Sequence, residues 1–81
     1  MDPLFMTYIP PPDTPFIRSL VHMPPRGRAK RWRDQSGKRI YEWDGLHGEL
    51  EVYNQKGYHM GVVDANGEFL KKAVPGRRID V

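Results

Sequence analysis

A mainly β fold is predicted: an antiparallel sheet of about five strands with a short N-terminal helix and a Pro-rich arm. Eight prolines and eight glycines in 81 residues argue against a helical bundle and for short strands joined by tight turns. Turn signals recur after residue 29, at Ser36-Gly37, Gly45-Leu46, Asn66-Gly67 and Pro75-Gly76. The runs between them carry Ile, Val, Tyr and Trp, which suit a pleated, half-buried surface.

The elements follow in order. Residues 1–28 contain seven of the eight prolines and read as an arm or linker. It is mostly extended, because each proline fixes φ and biases its predecessor away from helix. One short helix is expected there. Thr14 can cap it, Pro15 fits its first position, and Phe16, Ile17 and Leu20 recur at helical spacing. Pro24 and Pro25 stop it. Residues 29–81 read as one domain of consecutive strands. The first spans 30–33 and is closed by Asp34-Gln35-Ser36-Gly37. The second spans 38–44, and Gly45-Leu46 is read as a two-residue turn. The third spans 47–53, turned by Asn54-Gln55-Lys56-Gly57. The fourth spans 58–63, Asn66-Gly67 is the strongest hairpin signal, and the fifth spans 68–72 before a short tail.

Composition sets limits. A chain this short is one domain, burying roughly 60–65% of its unfolded surface, so its core is thin. The sequence has no cysteine, which removes disulfides and thiolate zinc sites. No apolar run approaches the roughly 20 residues a membrane helix needs. Met1 to Met6 show no basic segment followed by an apolar one, so no signal peptide is expected.

Charge is unevenly placed. Seven basic residues (Arg26, Arg28, Lys30, Arg31, Arg33, Lys38, Arg39) face one acid, Asp34. Then come Glu42, Asp44, Glu49 and Glu51 with no Lys or Arg among them, and then Lys71, Lys72, Arg77 and Arg78. Cations flanking an acidic centre suit an anionic polymer. Charges that merely solvate the faces of a small protein give the same pattern.

Along the third strand His47, Glu49, Glu51 and Tyr53 share one face. With a two-residue turn, Asp44 is set opposite His47, Glu42 opposite Glu49 and Ile40 opposite Glu51. Crowded carboxylates and an imidazole perturb one another's protonation and form a candidate acid/base site. RNA strand cleavage fits: a base takes the 2′-hydroxyl proton, that oxygen attacks phosphorus, and an acid protonates the leaving 5′-oxygen. An arginine is needed to balance the charge that develops, and Arg77 and Arg78 are the candidates. The competing readings are the wet side of a sheet and a divalent-metal site of Asp44, His47 and Glu49. Paired carboxylates also suit glycoside hydrolysis, discounted because so small a domain offers no sugar-binding cleft. His59 reads as a structural or surface histidine, and His22, in the arm, carries no role. Trp32, Tyr41 and Trp43 are candidates for stacking on bases, but Tyr41 and Trp43 point away from the acidic face in this register, which favours core.

The stretches Lys30-Arg31-Trp32, Gly37-Lys38-Arg39-Ile40-Tyr41-Glu42-Trp43-Asp44 and His47-Gly48-Glu49-Leu50-Glu51 closely resemble the C-terminal cytotoxic domain of the ribosome-inactivating ribonuclease colicins and cloacin. The resemblance covers about residues 28–79. It implies a highly twisted antiparallel sheet and one metal-independent, cofactor-free cut in 16S ribosomal RNA at the decoding site, stopping translation. Asp44, His47 and Glu51 match the family's acid/base group, Arg77 its essential arginine, Glu49 a further carboxylate and Tyr41 a neighbouring site residue. Glu51 is read as general base, with Glu49 as the alternative. His47 is read as general acid, Asp44 as its orienting partner and Arg77 as the phosphate ligand.

Lys30, Arg31, Lys38, Arg39, Tyr41, Lys71, Lys72 and Arg78 are the candidate RNA contacts. Residues 73–76 are less charged than the family's Lys-rich loop, and Arg78 is the expected compensation. A small acidic immunity protein is the implied partner, steered by opposite charge, in a monomer or a heterodimer with that inhibitor. The domain is expected to be delivered by a producing bacterium and to act in the target cell's cytoplasm without inserting into a membrane. A non-catalytic RNA-binding or ribosome-associated module, or a toxin cutting transfer RNA, is the alternative.

Overall fold

The computed structural model describes residues 7–27 and 29–81. The first six residues, on which the signal-peptide expectation falls, and Arg28 of the basic run lie outside the described residues. A short helix α1 (Pro15–Arg18) leads into six strands: β1 (Val21–Arg26), β2 (Ala29–Arg33), β3 (Arg39–Asp44), β4 (Glu49–Asn54), β5 (His59–Val63) and β6 (Phe69–Lys72). Each strand is antiparallel to the next, in the order β1-β2-β3-β4-β5-β6.

The helix starts as its residues require. Thr14 is extended, and its Oγ1 accepts the Ile17 N–H at 3.1 Å, satisfying a donor the first turn leaves free. The same hydroxyl donates to the Ala65 carbonyl at 2.6 Å, tying the helix to the β5–β6 connection.

The sheet has one more strand than expected, β1, and it runs through Pro24 and Pro25. Proline cannot donate to a ladder, so it belongs on an edge strand or at a bulge. Both conditions hold: β1 is an edge, and its register shifts between Met23 and Arg26. The compositional division at 28/29 therefore falls inside the β1–β2 hairpin.

The turn after β3 is longer than the two residues expected. Residues 45–48 connect β3 to β4, so Asp44 pairs with Glu49, Glu42 with Glu51 and Ile40 with Tyr53. Asp44 is the reason. Its Oδ1 accepts the N–H groups of Leu46 and His47 at 3.0 and 3.2 Å, and its carbonyl accepts the Gly48 N–H at 2.8 Å. Gly48 closes the turn at φ 71°, where a side chain is strained. His47 consequently sits in the turn and not on the strand. The register moves by two residues, which keeps the residues of β3 and β4 on their expected faces.

One face of the sheet is the core. Trp32, Tyr41, Trp43, Leu50, Val52 and Val63 pack there with Ile17 and Leu20 from the helical segment. Full burial contributes about 1.5–3 kcal/mol for each large apolar side chain. All three candidate stacking aromatics, Trp32, Tyr41 and Trp43, are buried in it. The opposite face carries the charged residues.

The tail returns beside the start of β5. His59 N–H donates to the Arg77 carbonyl at 2.9 Å, Tyr58 bridges to Arg78, and Ile79 N–H donates to the Gly57 carbonyl at 2.9 Å. This pairing carries Arg77 back over the charged face.

A candidate acid–base site on the charged face

The register of β2 to β6 builds the site. Arg31, Glu42, Glu51, Val62 and Lys71 are successive cross-strand partners and form one row. Asp44 and Glu49 form the next pair. Like charges directly opposite each other destabilise a sheet, and each carboxylate here has a basic partner. Glu42 Oε2 accepts from Arg31 Nε at 2.8 Å. Glu49 Oε2 accepts from Lys71 Nζ at 3.1 Å. Glu51 Oε1 takes Arg77 Nη1 at 3.0 Å and His59 Nε2 at 2.9 Å. Asp44 Oδ2 meets His47 Nδ1 at 2.7 Å.

The two imidazoles differ. The His47 side chain is 60% exposed, and beyond Asp44 its ring has no partner among the described residues. His59 is buried, and the Val74 backbone N–H donates to its Nδ1 at 2.9 Å. A backbone N–H can only donate, so Nδ1 accepts and the ring proton is on Nε2, which donates to Glu51. His59 thus orients the carboxylate beneath Arg77.

Two groups on this face, Asp44 and Tyr53, have shifted acidities. Partial burial works to raise the Asp44 carboxyl, but hydrogen bonds from the His47 ring and from the His47 and Leu46 N–H groups outweigh it, and its pKa falls below the ordinary value. Burial pushes the Tyr53 phenol above its ordinary range, Glu42 and Glu51 push the same way, and Arg77 opposes.

Asp44, His47, Glu49, Glu51, Lys71, Lys72 and Arg77 line one cleft of about 370 Å³, with His59 at its side. All five residues expected at the centre are therefore brought together, joined by two of the expected RNA contacts. The others are elsewhere. Lys30 borders a separate hollow with Trp32 and the prolines of the arm. The Arg39 guanidinium lies 5.7 Å from the Phe69 ring centre, and that of Arg78 5.2 Å from Tyr58. Lys38 stands in the β2–β3 turn.

Two expected RNA contacts need correction. Arg31 is buried, with Nε on Glu42 and Nη1 on the Asp80 carbonyl at 2.7 Å, so its guanidinium is spent on the protein. Tyr41 is buried edge-on against Phe16, ring centres 5.5 Å apart, and has no face to offer a base.

His59 was not legible as a site residue. Simple alternation would put it on the core face with Gly61 and Val63. The ladder instead skips Met60: Gly61 pairs with Val52, but His59 pairs with Tyr53. That bulge turns His59 to the charged face. Gly61 inside a strand was the available signal.

Oxygens of Asp44, Glu49 and Glu51 lie within 4.8 Å of one another, close enough to share a hard cation. Each is already answered by His47, Lys71 or Arg77, so a bound metal ion would have to displace side chains. The donor set fits an acid–base site better than a metal centre, and the competing metal set of Asp44, His47 and Glu49 is not the one that converges, since His47 is not among the three groups gathered within 4.8 Å.

Fold and site together define a small antiparallel β domain with a cleft where carboxylates, an exposed imidazole and an arginine meet. The chain belongs to the Cytotoxic family, whose model matches residues 9–80. It is 39% identical to colicin E3 of Escherichia coli over 84 residues, spanning 89% of this chain and 15% of that protein. Cloacin of the same organism is 36% identical over 84 residues, again 89% of this chain and 15% of cloacin. Colicin-E6 is 44% identical over 55 residues, 65% of this chain and 10% of that protein. The chain thus spans a small fraction of the relatives it matches.

Proposed function

We propose that this domain is a ribonuclease toxin that cuts 16S ribosomal RNA at the decoding site by 2′-hydroxyl attack and so stops translation. The observation that carries the reading is the convergence of His47, Glu51 and Arg77 on one cleft, from a turn, a strand and the tail. Family membership and the likeness to colicin E3 and cloacin support a toxin of this kind. The pairing of every central carboxylate with a basic side chain supports chemistry without a metal.

The steps follow from the residues. Glu51 accepts the 2′-hydroxyl proton, and the freed oxygen attacks the adjacent phosphorus. Arg77, 47% exposed, exchanges Glu51 for phosphate oxygens and offsets the added negative charge. His47, held by Asp44, protonates the departing 5′-oxygen. The products are a 2′,3′-cyclic phosphate and a 5′-hydroxyl, so no water enters the first step. His59 keeps Glu51 aimed. Lys71 and Lys72 at the cleft rim hold the flanking backbone.

The proposed setting is delivery by a producing bacterium and action in the target cell's cytoplasm, with a small acidic immunity protein restraining the domain until then. The test is to incubate the domain with intact ribosomes and resolve the RNA. One short 3′ fragment of 16S RNA is the expected product, absent with His47→Ala. Ribosome binding without any cut would instead make this a non-catalytic module, and cleavage of transfer RNA alone would replace the substrate.

A further inference from the structure

The arm ahead of α1 is bonded to the turn that carries His47. Ile9 N–H donates to the Gly45 carbonyl at 2.8 Å, and the Ile9 carbonyl accepts the Trp43 indole N–H at 2.7 Å. A single arm residue is therefore tied to both chain neighbours of Asp44. The Ile9 side chain stands over Gly48, where an added β-carbon would lie 3.3 Å from Ile9 Cδ1. The Tyr8 ring covers Gly45 so closely that a β-carbon there would collide with it. Both ends of turn 45–48 are thus capped from outside the sheet. Proline content alone explains an extended arm, but not bonds that converge on this turn.

The turn needs such a support. His47 is exposed, lies on no strand, and its side chain is held by one bond to Asp44. A proton donor must keep its atom within hydrogen-bond reach of the leaving oxygen, and a displacement of about 1 Å can lower a rate by as much as a hundredfold.

We propose that Tyr8 and Ile9 are positioning residues that clamp turn 45–48 and thereby fix the His47 imidazole over the cleft. The proposal rests on the reading of His47 as the proton donor. It makes the arm part of the working site, and it acts on proton transfer and not on RNA binding, since neither residue lines the cleft.

Two variants of the full chain test it. Ile9→Pro deletes the N–H bonded to Gly45 and extends the existing proline run, at a residue outside the core. Gly45→Ala evicts the exposed Tyr8 ring from a position whose φ lies outside the left-handed region. In each, kcat on intact ribosomes should fall roughly ten- to a hundredfold with KM unchanged. On a His47→Ala background neither should lower the rate further, because residues acting through one group are not additive. Exchange of the Gly48 amide, which donates to the Asp44 carbonyl at 2.8 Å, should quicken in both.

Wild-type kcat in both variants, unaltered Gly48 exchange, or full additivity with His47→Ala overturns the clamp while leaving the site reading intact. Wild-type activity in His47→Ala alone overturns the site reading, and the positioning role with it.

Discussion

His59 Nε2 lies 2.9 Å from Glu51 Oε1, and the same oxygen lies 3.0 Å from Arg77 Nη1. The carboxylate read as general base is therefore engaged from two chain segments, by the His59 hydrogen bond and by the Arg77 ion pair. A backbone N–H from Val74 fixes the tautomer of the donor imidazole. Orientation of the base is set before any substrate arrives, which is how positioned groups lower a barrier.

Replacing the two reacting groups separates chemistry from folding. His47→Ala and Glu51→Gln should each lower cleavage of ribosomal RNA about a hundredfold or more. The His47 side chain is 60% exposed and Gln keeps the shape of Glu51, so circular dichroism and the urea midpoint should change little. Retained cleavage in both variants would remove the acid–base assignment.

His59 should behave differently. His59→Ala leaves the Val74 N–H without its acceptor and Glu51 without one donor, so stability should fall by about 1–3 kcal/mol. A substrate with sulfur in place of the leaving 5′-oxygen needs no general acid. It should restore the rate of His47→Ala but not of His59→Ala. Rescue of His59→Ala alone would exchange the two histidines' roles.

The pair of buried Arg31 and half-buried Glu42 on β2 and β3 gives a stability test. Arg31→Met strands Glu42 and frees the Asp80 carbonyl, for an expected loss of about 3–5 kcal/mol. Arg31→Met with Glu42→Leu should recover most of it, measured by denaturant midpoints. Equal losses in single and double variants would show that the pair is not the source.

Asp44 makes stability depend on pH. Its folded pKa lies below the group's ordinary value, so the unfolded chain binds its proton first as pH falls. The stabilisation is fully present above that value and lost as pH drops through the folded one. Urea midpoints of wild type and Asp44→Asn should therefore converge below about pH 4 and separate above it. Parallel curves across the range would contradict the depressed carboxyl.

Much of this site was readable because β-strand alternation survives a two-residue change of register. Glu42, Asp44, Glu49 and Glu51 share a face with either turn length, and Thr14-Pro15 declared the helix start. What escaped reading depended on breaks in regularity. The skipped residue Met60 turned His59 to the charged face, and the shift between Met23 and Arg26 admitted prolines to an edge strand. Arg31 and Tyr41 escaped for another reason. A basic or aromatic side chain declares its chemistry in the sequence, but its burial depends on partners such as Glu42, Asp80 and Phe16.

The chemical ends of the cut RNA test the central claim most directly. Proton removal by Glu51 and donation by His47 should leave a 2′,3′-cyclic phosphate on one fragment and a 5′-hydroxyl on the other, unchanged in excess chelator, with no cut where the target 2′-hydroxyl is replaced by hydrogen. A 5′-phosphate and a free 3′-hydroxyl, lost on chelation and restored by Mg²⁺, would mean that water attacked and would contradict the account.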